Sequence, residues 1–184
     1  LSNEVTPAAS PTTRPSGTPA LETLVPARLL ETRSGPGLST VDSKFLGGGV
    51  VGAGRVFELP VTGRGGVPLD AAAVMLNVTA VRTSGWGFVQ VWPCGSTKPS
   101  TSSVNFTSAG AVEPNAVLVP VDETGEVCVS SSVATDLLVD VAGWFESGLR
   151  SASGELRLVD TREGRGGTRL AAGVPLRVKV AGVA

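Results

Sequence analysis

Histidine and tyrosine are absent from the 184 residues, and methionine occurs once. Without imidazole there is no Ser-His or Cys-His nucleophile, no H-E-x-x-H zinc helix and no mixed Cys/His metal site. Charge is scarce as well: Asp, Glu, Lys and Arg make up 17%, against roughly 25% in ordinary soluble domains. The 15 basic and 16 acidic residues nearly cancel, for a net charge of −1. That balance gives no electrostatic case for nucleic acid or an anionic lipid surface. No apolar run approaches the roughly 18 residues that a membrane-spanning helix needs, so neither nucleic-acid binding nor membrane insertion is expected. What is plentiful is glycine, with 24 residues, and proline, with 13, set among Val, Thr and Ser. The apolar residues are grouped and alternate, unlike those of a disordered chain.

From Thr6 to Ala20 the sequence is rich in Pro, Thr, Ser and Ala. Its prolines hold the backbone extended, and nothing in it can build a core. Residues 1–25 therefore read as a linker or stalk. The chain opens at Leu1 rather than Met, and its first residues do not form a signal peptide, so a signal is expected to have been removed or excluded.

After the stalk, strand patterns arrive in quick succession over 28–32, 55–61, 73–81, 87–92, 103–106, 116–121, 126–130 and 135–144. The run from Ala73 to Val81 is the strongest, with Val74, Leu76, Val78 and Ala80 on one face. Turn residues such as Thr83-Ser84-Gly85 and Asp122-Glu123-Thr124-Gly125 separate the runs. Short strands without a sustained helical period predict an all-β fold. The expectation for residues 26–148 is an antiparallel β-sandwich, jelly-roll or Ig-like, of roughly eight or nine strands.

An internal repeat is the most informative feature. Arg28-Leu29-Leu30-Glu31-Thr32-Arg33 matches Arg157-Leu158-Val159-Asp160-Thr161-Arg162, and the stretch from Ala53 to Gly63 matches that from Ala172 to Gly182. The second copy is followed to Ala184, where the first would go on into its strongest strand. Residues 149–184 are thus expected to be a partial second repeat of two strands, 157–162 and 174–181.

Cys94 and Cys128 lie in strand-like surroundings. They are too few for a four-cysteine zinc site and wrongly spaced for a redox Cys-x-x-Cys pair. An even count in a Ser/Thr/Gly-rich chain suggests one structural disulfide and an oxidising, extracytoplasmic home; two buried free thiols are the other reading.

Arg-Leu-Leu-Glu-Thr-Arg at 28–33, Leu-Asn-Val-Thr-Ala-Val at 76–81, Trp-Pro-Cys-Gly at 92–95 and Val-Asp-Val-Ala-Gly-Trp-Phe at 139–145 form a joint pattern. It resembles a recurrent extracellular domain of actinobacterial secreted and cell-surface proteins, with Asn105, Asn115 and Cys128 also in place. The likeness covers about residues 26–146 and restarts at 156. It departs from the pattern at Trp144, where Tyr is more usual, and at Glu31, where Asp is usual. The resemblance implies an extracellular or cell-surface location and carries no established biochemical activity.

The remaining motifs have plain structural accounts. Gly47-Gly48-Gly49-Val50-Val51-Gly52 fits G-x-G-x-x-G by letter, but a strand pattern containing Pro60 follows it where a dinucleotide site needs a helix. Gly63-Arg64-Gly65-Gly66 and Gly164-Arg165-Gly166-Gly167 read as loops that need positive φ. Asn77, Asn105 and Asn115 are expected to hydrogen-bond loop backbone. Asp122, Glu123 and Glu126 lack the ligand spacing of a calcium loop. Glu31, Thr32 and Arg33, repeated as Asp160, Thr161 and Arg162, place a carboxylate, a hydroxyl and a guanidinium at a strand end. They are expected to pair with each other, and ligand binding is the alternative.

No acidic residue stands in a context that marks a glycosidase carboxylate pair, and neither G-x-S-x-G nor S-x-x-K occurs. The chain is accordingly expected to be a non-catalytic extracellular structural or adhesive module without cofactor or metal. Its expected partners are other copies of itself or neighbouring repeats, met by strand addition. The alternative is a module that binds cell-wall or environmental glycan, with Trp86, in its Ser-Gly turn, as the glycan contact.

Overall fold

The structure, a computed structural model, describes residues 21–146 and 157–179. Eight strands lie within 21–146: β1 (Leu21–Glu31), β2 (Val56–Pro60), β3 (Ala73–Val81), β4 (Gly87–Pro93), β5 (Val104–Phe106), β6 (Val112–Pro120), β7 (Glu126–Ser131) and β8 (Asp136–Phe145). Among the described residues there is no helix. The strands form two antiparallel sheets of four, in the orders β1-β8-β3-β6 and β2-β7-β4-β5.

Within each sheet the neighbours pair first with last: β1 beside β8, β2 beside β7, β3 beside β6 and β4 beside β5. That is the order produced by one long hairpin, turned between β4 and β5 and then rolled up. Of the two expected sandwiches it is the jelly-roll, not the Ig-like, arrangement. Only the β4–β5 link stays within one sheet; every other connection crosses the sandwich.

Alternation puts the core between the sheets. β3 sends Val74, Leu76, Val78 and Ala80 inward, each no more than 1% exposed, and β8 answers with Leu137, Val139 and Val141. Opposite them lie Leu59 of β2, Val89 and Val91 of β4, and Val127 and Val129 of β7. Truncating such a residue, Leu76→Ala for example, removes contacts worth about 2–5 kcal/mol.

Three expectations are corrected. β1 begins at Leu21, so part of the supposed 1–25 stalk is paired with β8, from Leu21 opposite Phe145 onward; residues 1–20 lie outside the described ones. β6 begins at Val112 rather than 116. The strands expected over 157–162 and 174–181 are not formed in the described stretch 157–179, which holds one isolated bridge between Asp160 and Arg165. Two strand sequences without a second sheet have no face to bury; Leu156 and Val180 lie outside the described residues.

Cys94 and Cys128 are disulfide-bonded, with Cα atoms 4.9 Å apart. The bond ties the end of β4 to the neighbouring β7, where Trp92 stands opposite Cys128. These three residues form a buried cluster separate from the main core. Trp92 is therefore not part of the central core, whereas the half-buried Trp144 packs against it. Lys98 covers Trp92, with Nζ 5.7 Å from the ring centre and bonded to Ser130 Oγ at 3.0 Å. Closing a loop across a sequence separation of 34 stabilises by roughly 3–4 kcal/mol on the chain-entropy estimate. In denaturant without reductant no thiol is expected to react; after reduction, intact mass should report two alkylations.

Candidate functional site

Strand β1 ends on its most charged residues, and the end is buried. Glu31 has a fully buried side chain, an expensive place for a carboxylate unless it is paired. Two arginines pair it. Arg33 donates from Nε to Oε1 at 2.7 Å and from Nη2 to Oε2 at 2.7 Å, the two-point geometry that guanidinium and carboxylate share. Arg28 donates to Oε2 at 2.9 Å and holds Asp140 of β8 with its other nitrogens, at 2.8 and 3.2 Å. The bond from Arg33, aided by its charge and that of Arg28, holds the Glu31 carboxyl below its ordinary value. The bond to Asp140, joined by the pull of Glu31, raises Arg28.

Thr32 turns the other way. Its Oγ1 donates to Asp136 Oδ1 at 2.7 Å and accepts the Leu137 N–H at 2.9 Å, sewing the end of β1 to the start of β8. Arg82, in the left-handed region at φ 49°, reaches Asp136 at 3.7 Å. The trio thus spends its groups on the fold in its first copy: Glu31 and Arg33 pair with each other, whereas Thr32 bonds β8 and not its two neighbours.

The second copy reproduces the clamp. Asp160 takes Arg162 Nε at 3.0 Å and Nη2 at 2.7 Å, while Arg157 donates to Oδ2 at 3.0 Å. The Arg162 backbone N–H reaches Asp160 Oδ1 at 3.1 Å, as that of Arg33 reaches Glu31 Oε1 at 3.1 Å. The bonds from Arg162, supported by Arg157, hold the Asp160 carboxyl below its usual range. The backbone partner differs. Glu31 exchanges bonds with Phe45 and Gly47 across a long loop, and Asp160 with Arg165 across a short one. Thr161 is half-buried, and the described residues offer it no counterpart of β8.

Sequence reasoning missed Arg64. It reads as one letter in a Gly-Arg-Gly-Gly loop, yet it is 9% exposed and holds the open side between β1 and β2. Its guanidinium donates to Leu29 O of β1 at 2.9 Å, to Pro60 O of β2 at 2.8 Å and to both oxygens of Asp42, at 2.7 and 2.9 Å. It also lies 4.7 Å over the ring of Phe45. The bond from Arg64 holds Asp42 below the usual carboxylate range. Gly65 follows because the backbone there has φ +57° and passes so near Ala27 and Val141 that a Cβ would stand 3.0 Å from each. The one sequence signal at this arginine, the recurrence of Gly-Arg-Gly-Gly at 164–167, reads as turn glycines and says nothing of its partners.

The other candidates fall apart from this cluster. Trp86 is 75% exposed at the tip of the β3–β4 turn. Asn115 donates to Ser103 O at 2.6 Å, loop backbone as expected although at an exposed position, while Asn105 accepts from Ser102 Oγ instead. Asn77 is half-buried within β3. Cys94, Asp122 and Glu126 approach one another, but the sulfur belongs to the disulfide and is no metal ligand. The Gly47–Gly52 loop leads into β2, not into a helix.

No family model, no curated protein and no solved structure matches this chain.

Replacing Glu31 by Ala strands two arginines and should cost about 2–3 kcal/mol, below the usual cost of breaking a buried pair because both guanidiniums reach water. Glu31→Asp should keep part of that, as Asp160 makes the same bonds. Because the carboxyl is held below its ordinary 4.5, its contribution is full above that pH and lost as pH falls through the lower folded value. Urea unfolding should therefore show the wild-type advantage over Glu31→Ala at pH 7 and its closure in acid.

Proposed function

We propose that the chain is a non-catalytic structural or adhesive module of an extracellular or cell-surface protein, built from repeated units. The observation that carries this is the clamp formed alike around Glu31 and Asp160. A motif that recurs with its acid and both arginines turned on each other serves folding, not turnover. The disulfide suits an oxidising compartment. The likeness of the 28–33, 76–81, 92–95 and 139–145 motifs to the actinobacterial extracellular domain supports the same placement.

Assembly follows from the second copy. Val174 is 58% and Val178 44% exposed on the alternating stretch Val174-Pro175-Leu176-Arg177-Val178-Lys179, which belongs to no strand pair. In our reading it adds to a sheet edge of a neighbouring copy or repeat, and one interface of that kind gives head-to-tail chains. Sedimentation of the full chain against one shortened after Gly148 tests this. The full chain should associate with rising concentration and protect 174–179 from hydrogen exchange. A monomer that exchanges fast throughout 157–179 overturns strand addition.

A glycan-binding reading has one observation in its favour, the exposed indole of Trp86, a surface on which a sugar face can stack. On a glycan array this reading expects binding by the wild type that Trp86→Ala abolishes. Stability should move by less than about 0.5 kcal/mol, as at other surface positions. Binding that survives the substitution, or none at all, removes it.

A further inference from the structure

Arg64 closes only part of the β1–β2 side. Beyond it a cavity of about 310 Å³ opens beneath the loop 43–52. Leu30, Phe45 and Phe57 wall it, and Leu46, Val50 and Val56 stand on its rim, between 40% and 54% exposed. These three half-exposed side chains give the opening an apolar rim.

The loop over the cavity is a ribbon with one row of donors spent. The N–H groups of Gly47, Gly49 and Val51 donate to Glu31 O, Thr32 O and Thr135 O at 2.8, 2.9 and 2.9 Å. Those between them, of Gly48, Val50 and Gly52, meet no acceptor among the described residues, and all three residues line the cavity. Gly49 lines it at φ +78°, a conformation that L side chains rarely adopt.

The one charge on the lining is Arg55. Its side chain lies along Gly52, whose Cβ would stand 3.4 Å from the arginine Cδ. Arg28, Arg33 and Arg64 are neutralised by Asp140, Glu31 and Asp42. Arg55 has no carboxylate partner among the described residues, and no acidic side chain lines the cavity. Apolar walls and a guanidinium without a carboxylate partner meet at one opening.

We propose that this cavity binds a small amphipathic carboxylate. The apolar body lies against Leu30, Phe45 and Phe57, and the carboxylate meets Arg55. The volume is that of about ten water molecules, which sets a body of about ten non-hydrogen atoms. Two sources carry this chemistry, a free medium-chain acid and the terminus of a peptide ending in an apolar residue. The site does not depend on the module reading.

The test is a titration of the full chain with octanoate, octanol and a short leucine-terminated peptide, as free acid and as amide. The methyl resonances of Leu30, Val51 and Val56 report binding. Octanoate should shift them saturably, with octanol about tenfold weaker. Arg55→Gln, at an exposed position, should weaken octanoate by about fivefold and leave octanol unchanged. If the peptide acid outbinds both octanoate and its own amide, the site takes chain ends; if octanoate leads, it takes free acids. Absence of shifts with either acid at millimolar concentration overturns the proposal. So do shifts equal for octanoate and octanol and indifferent to Arg55→Gln.

Discussion

One buried guanidinium joins the edge strands β1 and β2 of the two sheets, with two of its four hydrogen bonds going to their carbonyls and two to Asp42. Leu29 and Pro60 would otherwise present carbonyl oxygens at an apolar seam, and an unpaired buried carbonyl is costly. The planar fork of an arginine reaches both while its remaining donors take Asp42; a lysine, a point charge on a flexible stem, would not. Asp42 and the ring of Phe45 then fix the loop, and the Phe45 carbonyl accepts the Glu31 N–H at 3.0 Å. Through that loop Arg64 is coupled to the clamp at the end of β1 and to the shape of the cavity beside it.

What the sequence made legible follows a physical line. β3 was readable to the residue because it lies between β8 and β6 with one face fully buried, which gives strict alternation. The first half of β6 was not: Val112 to Ala116 are all exposed on an edge strand, so no face imposes a period. The start of β1 was hidden similarly, since Leu21 to Val25 are only partly covered and owe their strand to pairing with β8. Sandwich class followed from short strands and turns, but the strand order rests on partners distant in the chain, which local pattern does not encode. Of the cluster, Glu31 and Arg33 announced themselves by repetition. Arg64 recurs too, as Arg165 in the second Gly-Arg-Gly-Gly, but its role stayed hidden because its four acceptors come from three separate segments.

The two copies also separate local from long-range contributions. The acid and its two arginines sit within six residues in each, so the clamp closes with little loop entropy and forms in 157–165 without a sheet beside it. Thr32, by contrast, needs Asp136, 104 residues away. The clamp is therefore local to its six residues, whereas the Thr32 bonds require the sandwich.

The rolled hairpin places the first and last strands side by side, with Leu21 opposite Phe145. Chain entry and exit therefore leave from the same corner. Tension applied through the flanking segments would load the β1–β8 ladder as a zipper, one hydrogen bond at a time, instead of shearing the whole ladder together. The break in register between Thr23 and Ala27 lies near the start of that path, and the Arg28–Asp140 pair farther along it. In a tandem array such a unit hangs beside the line of force as a pendant, adding surface without adding much length.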